Sequence, residues 1–403
     1  MLERPQRGEL ALLVHIYFNK YEPEEIVKEF QELALAAGAQ TMKLITGRQR
    51  KAQAKYFIGL GKLEEIVAAT TVHKAQLILF NHDLSPAQER NLEQKLQCRV
   101  LGRTGLILDI FAQRARTFEG KLQVKLAQLE HLSTRLIRGW THLERQRGGI
   151  GLRGPGETQL ETDKRLIRQQ IKTIKKRLEK VCAQRAQSQR ARRKSQLPYI
   201  SLVGYTNTGK STLFNRLTHA AAFVANQPFA TLDPSIRRMS LYDGQIAILA
   251  DTVGFIRQLP HHLVVAFRAT LEETQHANLL LHIVDATNPE KNECNQAVSN
   301  VLKQIHTDHI TQLIVVNKID LLENTPPRLE RNAAGLPIKV WISAQSGIGI
   351  DLLRQAIIEC LTYQNDSEKS YLLNHHRSEL WNRSWDHNDF VAELIVARMA
   401  QHA

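Results

Sequence analysis

Five short segments in the second half of this 403-residue chain carry residue types and spacings suited to phosphate chemistry. The first is Gly204-Tyr205-Thr206-Asn207-Thr208-Gly209-Lys210-Ser211-Thr212. It reads G-x-x-x-x-G-K-S, with an apolar run, Tyr199 to Val203, before it and a helix-like stretch, Ser211 to Leu217, after it. Strand, glycine loop and helix N-terminus in that order make a phosphate cradle, because the backbone can wrap closely with its N–H groups pointing inward. Lys210 then offers a point charge to β- and γ-phosphates, and the Ser211 hydroxyl offers a ligand to Mg²⁺. A glycine-rich turn that matches by accident is the alternative, and the flanking strand and helix count against it.

The other segments follow in the order such a site needs. Phe229-Ala230-Thr231-Leu232-Asp233 lies in a polar loop after the first helix, where a switch loop would sit. Thr231 there can ligate Mg²⁺ and sense a γ-phosphate. Asp251-Thr252-Val253-Gly254 follows a strand at Gln245 to Ala250. Asp251 can hold Mg²⁺ through water, and the Gly254 N–H can reach the γ-phosphate. Lys210, Thr231 and Gly254 are therefore the catalytic candidates. Asn317-Lys318-Ile319-Asp320, after the apolar run Leu313 to Val316, selects the base. Asp320 can accept from guanine N1–H and N2–H₂, whereas adenine would leave that carboxylate unpaired. Asn317 can brace the loop, and the Lys318 stem can lie along the base. Ser343-Ala344-Gln345, after Ile338 to Ile342, can supply a backbone N–H to guanine O6. Each short motif is weak alone; the ordered set points to GTP and GDP with Mg²⁺.

One position departs from the hydrolytic template. Where a Ras-type enzyme carries the glutamine that orients the attacking water, this chain has Phe255. A phenyl ring has no hydrogen-bonding group for that task. Slow intrinsic hydrolysis, accelerated by a partner, is the expectation, and core packing is an equal reading of the ring itself.

The elements that must position these residues fall into an α/β arrangement of two or three domains. In residues 1–115, strands at Leu10 to Phe18, Thr41 to Thr46 and Gln76 to Phe80 alternate with helices from Pro23 to Gly38, Gly61 to Val72 and Ser85 to Leu96. Such alternation suggests a small parallel α/β domain. The stretch Tyr56 to Lys62 has glycines and a lysine without phosphate-loop spacing and reads as a structural turn. Residues 116–196 carry two leucine and isoleucine series with a coiled-coil seam: Leu122, Leu126, Leu129 and Leu136, then Leu160, Ile167, Ile171, Ile174, Leu178 and Val181. They predict a long antiparallel helical hairpin, its second helix running from about Glu157 to about Lys194. The joining loop, Arg147 to Glu157, holds five glycines and a proline, more than a plain turn requires. Residues 197–362 are the nucleotide domain, expected as a mostly parallel sheet with flanking helices ending in one from Gly347 to Leu361. Residues 363–403 form a short C-terminal extension.

Charge singles out the hairpin. The chain carries a formal +14, and the stretch from Lys164 to Lys194 alone holds 13 Lys and Arg against one acid, Glu179. A block of this kind reads as an electrostatic footprint for nucleic acid or anionic lipid, with a solvated helix face as the plain alternative. Candidate RNA contacts are Arg147 and Arg153 in the tip and Arg168, Lys172, Lys175 and Lys176 along the second arm. No run approaches the roughly 18 apolar residues of a membrane span, and the N-terminus lacks a signal-peptide core. The cysteines, Cys98, Cys182, Cys294 and Cys360, are far apart, which argues for reduced thiols and a cytoplasmic protein. His375 and His376 in the C-terminal extension read as solvated, and Phe390 to Val396 as a strand or short helix.

With those residues laid out, the chain resembles the HflX family, in the Obg–HflX branch of the P-loop GTPases. The most specific segments are Arg103 to Ala112, Arg114 to Val124, Gly148 to Glu161 and Gly204 to Leu213. A hydrophobic residue at the Phe255 position also fits that branch. The resemblance runs from about residue 10 to 361. It implies a GTPase that binds the large ribosomal subunit and its RNA and dissociates stalled or idle ribosomes under stress; a monomer is expected. It also implies that the hairpin tip, Arg147 to Glu157, reaches ribosomal RNA. Two rival readings are an RNA-binding or remodelling protein merely regulated by GTP, and a membrane-surface GTPase that uses the basic helix on anionic lipid with weak peripheral association.

Overall fold

A computed structural model describes residues 8–19, 23–139, 155–194, 197–220, 227–257, 274–307 and 309–363. The hairpin tip with Arg147 and Arg153, and the C-terminal extension with His375, His376 and Phe390 to Val396, lie outside the described residues.

The N-terminal unit is built as β1 (Leu10–Tyr17), α1 (Glu24–Ala36), β2 (Gln40–Arg48), α2 (Leu60–His73), β3 (Leu77–Phe80), α3 (Pro86–Leu96), β4 (Arg99–Leu101) and α4 (Arg103–Arg114). Its four strands are all parallel, in the order β2-β1-β3-β4. β1 and β3 are buried on both faces, as helices on both sides of a parallel sheet require, and their sequences are accordingly continuous apolar runs. Ser85 and Gln88 form a capping box that starts α3, with Pro86 at its first position. Neither β4 nor α4 follows from the strand and helix patterning of the sequence: β4 has three residues, and α4 is buried along most of its length, so it shows no clean amphipathic stripe.

α5 (Phe118–Gly139) and α6 (Pro155–Lys194) form the hairpin. The expected seam is present, with Leu122, Leu129 and Ile174 buried and Leu126, Ile167, Ile171 and Leu178 packed against them. Ion pairs from Glu119 to Arg185 (3.0 Å) and from Glu130 to Lys175 (2.9 Å) cross the seam and fix the antiparallel register. The other face of α5 joins the N-terminal unit, burying Val124 and Ala127 and pairing Arg135 with Glu89 of α3.

The third unit contains β5 (Tyr199–Gly204), α7 (Lys210–Thr218), β6 (Ser235–Ser240), β7 (Ile246–Asp251), β8 (Leu279–Asp285), α8 (Lys291–Gln304), β9 (Gln312–Asn317), β10 (Leu329–Arg331), β11 (Pro337–Trp341) and a helix, α9, over residues 350–363. The sheet order is β10-β11-β9-β8-β5-β7-β6. The edge strands β6 and β10 are antiparallel to their neighbours, and the interior pairs are parallel. β5 sits between β7 and β8, so the chain order reverses on either side of it, and the crevice beyond its carboxyl end is where open α/β sheets bind ligands.

The first and third units are not independent bodies. Phe30, Ile107 and Phe111 of the N-terminal unit share one continuous apolar core with Phe229, Val253, Phe255 and Ile256. None of the four cysteines is in a disulfide. Among the described residues no helix is long and apolar enough to cross a membrane.

Candidate nucleotide site

The glycine loop leaves β5 at Gly204 and enters α7 at Lys210, so the backbone amides at the start of α7 face the crevice. Lys210 is buried, and its Nζ donates to the Tyr205 carbonyl at 2.6 Å. Burial lowers its ammonium to about 8, with the Asp251 charge acting in the opposite direction. Thr208 Oγ1 also donates to the Tyr205 carbonyl (3.0 Å), and the Thr206 N–H donates to the Phe255 carbonyl (2.7 Å). In return the Phe255 N–H donates to the Gly204 carbonyl (3.1 Å), which zips the end of β7's segment onto the loop.

At the head of α7 three oxygen-bearing side chains converge. Ser211 Oγ donates to Asp251 Oδ2 at 2.7 Å and lies 2.8 Å from Thr231 Oγ1. Thr231 Oγ1 lies 3.1 Å from the same Oδ2. Asp251 is fully buried, and its Oδ1 has no hydrogen-bond partner among the described residues. Desolvation pushes this carboxyl up, opposed by Ser211, Lys210 and Thr231. An orphaned carboxylate oxygen beside two hydroxyls is a hard, oxygen-only set, the kind that suits Mg²⁺.

Asn317 ties the base loop to the phosphate loop. Its Nδ2 donates to the Thr208 carbonyl and its Oδ1 accepts from the Ala344 N–H, both at 2.8 Å. Gly209 passes so close that a Cβ there would lie 2.3 Å from Asn317 Nδ2. The Ser343-Ala344 turn thus braces Asn317, and Gln345 lines the cavity. Lys318 has a left-handed backbone and pairs with Asp285 at 2.6 Å. Ile319 is core, while Asp320 is exposed in the short 3-10 turn Ile319–Leu321.

These pieces enclose a cavity of about 520 Å³. Thr206, Asn207, Gly209, Lys210, Ser211 and Thr212 form its floor, and Phe229, Ala230, Thr231, Thr252 and Gly254 its wall. Lys318, Leu321 and Gln345 form the far end. Gly254 lies so near that a Cβ would come within 3.0 Å of Lys210 Nζ. Val253 is core and Thr252 Oγ1 donates to the Leu202 carbonyl, so both act as scaffold. Leu232 and Asp233 line a neighbouring space of about 450 Å³, and the Asp233 carboxylate bonds to the start of α5. Phe255 is buried at 1% exposure, its ring in the shared core. Gln227 and Leu321 line the cavity without having been expected from the sequence; Leu321 could have been found from its place next to Asp320.

On the basic arm, Arg168, Lys172 and Lys176 are exposed on α6. Lys175 is exposed there too and pairs with Glu130, a pair that is weak at half exposure.

Comparison with known proteins agrees with this architecture along the chain. A family model described as "GTP-binding GTPase N-terminal" matches residues 24–112, "GTP-binding GTPase Middle Region" matches 114–193, and "50S ribosome-binding GTPase" matches 199–318. The chain is 56% identical over 362 residues to GTPase HflX of Escherichia coli (strain K12), covering 90% of this chain and 85% of that protein. It is 43% identical over 382 residues to GTPase HflX of Caldanaerobacter subterraneus subsp. tengcongensis, covering 95% and 87%. Among solved structures, a complex of SsGBP with GDP aligns over 88% of this chain and 99% of that one, with a TM-score of 0.51 and 24% identity, a likeness of fold. Sequence identity sustained across all three units, together with the glycine loop, the Asp251 cluster and the Asn317 brace, places this chain in the HflX family of GTPases.

Proposed function

We propose that GTP and Mg²⁺ bind across the Lys210–Thr231–Asn317 cavity and that the GTP-bound chain docks through its basic hairpin on the RNA of the large ribosomal subunit. Docking would dissociate stalled or idle ribosomes, and hydrolysis would release the factor. The observation that carries the nucleotide part is Thr231, held within hydrogen-bond reach of both Ser211 and Asp251. A switch-loop hydroxyl placed there can report the nucleotide state.

In this reading Ser211 and Thr231 ligate the metal, with Asp251 holding it through water. The cation, when bound, neutralises charge on the β- and γ-phosphate oxygens. Lys210 exchanges its bond to the Tyr205 carbonyl for the phosphates. Gly254 presents its N–H to the γ-phosphate because no side chain stands between them. Asp320 selects guanine, with Lys318 along the base. Phe255 cannot orient water, so intrinsic turnover is slow and a partner supplies the missing group.

The ribosomal part is supported by the distribution of charge and by the family description that matches residues 199–318. The apolar residues of α6, Ile167, Ile171, Ile174 and Leu178, are used against α5. Among the described residues of α6, Leu166 is the only large apolar side chain left exposed, against many basic ones, which favours a polyanion over a membrane surface. The protein acts as a monomer in the cytoplasm. Sedimentation of ribosomal subunits with the protein and a non-hydrolysable GTP analogue is the test. Nucleotide-dependent co-sedimentation with the large subunit is expected, and its absence overturns the reading. Flotation with anionic liposomes separates out the membrane alternative.

A further inference from the structure

The loop that carries Thr231 is gripped from behind by the junction between α4 and α5. Three contacts make the grip. Gln227 Oε1 accepts from Arg114 Nη2 at 2.6 Å. The Phe229 ring, buried and with a left-handed backbone (φ 58°), meets Phe111 edge to face at 4.6 Å between centroids. Asp233 Oδ2 accepts the N–H groups of Arg116 (2.7 Å) and Thr117 (2.8 Å), and its Oδ1 accepts the Thr117 hydroxyl (2.5 Å).

The last contact belongs to the first turn of the hairpin. Thr117 Oγ1 accepts from the Gly120 N–H and its carbonyl accepts from the Lys121 N–H, both at 3.0 Å, so Thr117 is the residue that opens α5. A carboxylate from the nucleotide domain thus completes the N-terminus of the helical arm. Position 120 is shaped for it: a Cβ there would lie 2.2 Å from Asp233 Oδ1. Two residues from Asp233, Thr231 faces Ser211 and Asp251.

We propose that Asp233 is a positioning residue: through its bond to the start of α5 it holds Thr231 in place for the γ-phosphate, and it makes nucleotide state and the seating of the basic arm a single equilibrium. The loop cannot leave the nucleotide without releasing the foot of α5. By reciprocity, whatever favours the closed loop favours the seated arm, and a partner that pulls on the arm weakens the hold on GTP by the same factor. The inference rests on the reading of Thr231 as the γ-phosphate sensor.

The test uses the full chain with Gly120→Ala. Alanine is the better helix former, so a contact that served α5 alone would leave the arm no worse than before. Coupling of the size usual between linked sites predicts that affinity for a non-hydrolysable GTP analogue with Mg²⁺ falls by on the order of tenfold, while GDP affinity is retained. Asp233→Ala, which removes the carboxylate and keeps Gly120, should reproduce that split. Analogue affinity unchanged in both variants, or loss of analogue and GDP in equal measure, overturns the proposal. Thr231→Ala separates the two readings. If it weakens the analogue and the other variants do not, only the coupling falls; if it leaves the analogue untouched, the sensor reading falls with it.

Discussion

The hydroxyl of Tyr205, second residue of the glycine loop, donates to the carboxylate of Glu29 on α1. Arg103, at the start of α4, donates to the same carboxylate and to the Arg257 carbonyl (3.1 Å), while the Arg257 N–H donates back to the Tyr205 hydroxyl (2.8 Å). Arg103 also reaches Asn81 Oδ1 at 2.6 Å. Burial and Glu29 push the Tyr205 hydroxyl far above the ordinary tyrosine range, so it remains a donor at any working pH. This network bolts the phosphate loop and the segment after Gly254 to the N-terminal unit. A double-mutant cycle with Tyr205→Phe and Glu29→Gln should therefore return a coupling energy of about 1–2 kcal/mol in urea unfolding. Additive losses would mean that the two side chains do not act together.

Phe255 invites a repair that should fail. Its ring is enclosed with Val253, Ile256 and Tyr205 in the core shared by the first and third units. Its backbone, rather than its side chain, faces the glycine loop. Phe255→Gln should not raise basal GTP hydrolysis, because the amide would point into the core and away from the cavity. It should lower stability by about 2–4 kcal/mol, the combined cost of a lost aromatic and a buried polar group. Single-turnover hydrolysis and thermal denaturation of the same variant check both halves.

The phosphate chemistry was legible because it is local. The loop, Asp251 and Asn317 each follow an apolar strand directly, so reading the strands placed the residues, and observed strand ends fall within a residue or two of the expected ones. What escaped the sequence is long-range. Tyr205 and Glu29 are separated by 176 residues, and no spacing rule joins them. The same holds for Asp233 on Thr117, 116 residues apart. Lys175 and Glu130, paired across the seam, are 45 residues apart. So it is for the Ala344 N–H and Asn317 Oδ1, 27 positions apart. Segments α4 and β4 were invisible to periodicity because one is buried nearly all round and the other is three residues long.

Glu89 gives the docked arm a pH signature. It is buried on α3, where it accepts from the Gly102 N–H (3.3 Å) and pairs with Arg135 of α5. Desolvation outweighs both partners and raises its carboxyl from 4.5 to about 7. The folded protein therefore binds a proton that the unfolded chain has released between those values. This group's contribution to stability is full below 4.5 and is lost as pH rises through about 7. Glu89→Gln keeps an acceptor for Gly102 and removes the titration. The stability difference between wild type and Glu89→Gln should shift against the wild type as pH rises from 5 to about 8, measured by urea unfolding at each pH. A flat difference would show that Arg135 keeps the carboxylate ionised throughout.

Asn317 should affect both nucleotides alike, in contrast to Gly120. It is buried at 2% exposure and holds the Thr208 carbonyl with one end of its amide and the Ala344 N–H with the other. Truncation to alanine strands two buried backbone groups, at about 1–3 kcal/mol each. It also frees the base loop from the phosphate loop, and that geometry is common to GTP and GDP. Asn317→Ala should therefore weaken the two nucleotides by the same factor, on the order of tenfold or more. The switch loop lies on the other wall of the cavity, and its contacts with Ser211 and Asp251 do not pass through Asn317. Equilibrium binding of GDP and of a non-hydrolysable GTP analogue decides the matter. A selective loss of the analogue would place Asn317 in the γ-phosphate machinery and would break the division between a base brace at Asn317 and a state sensor at Thr231.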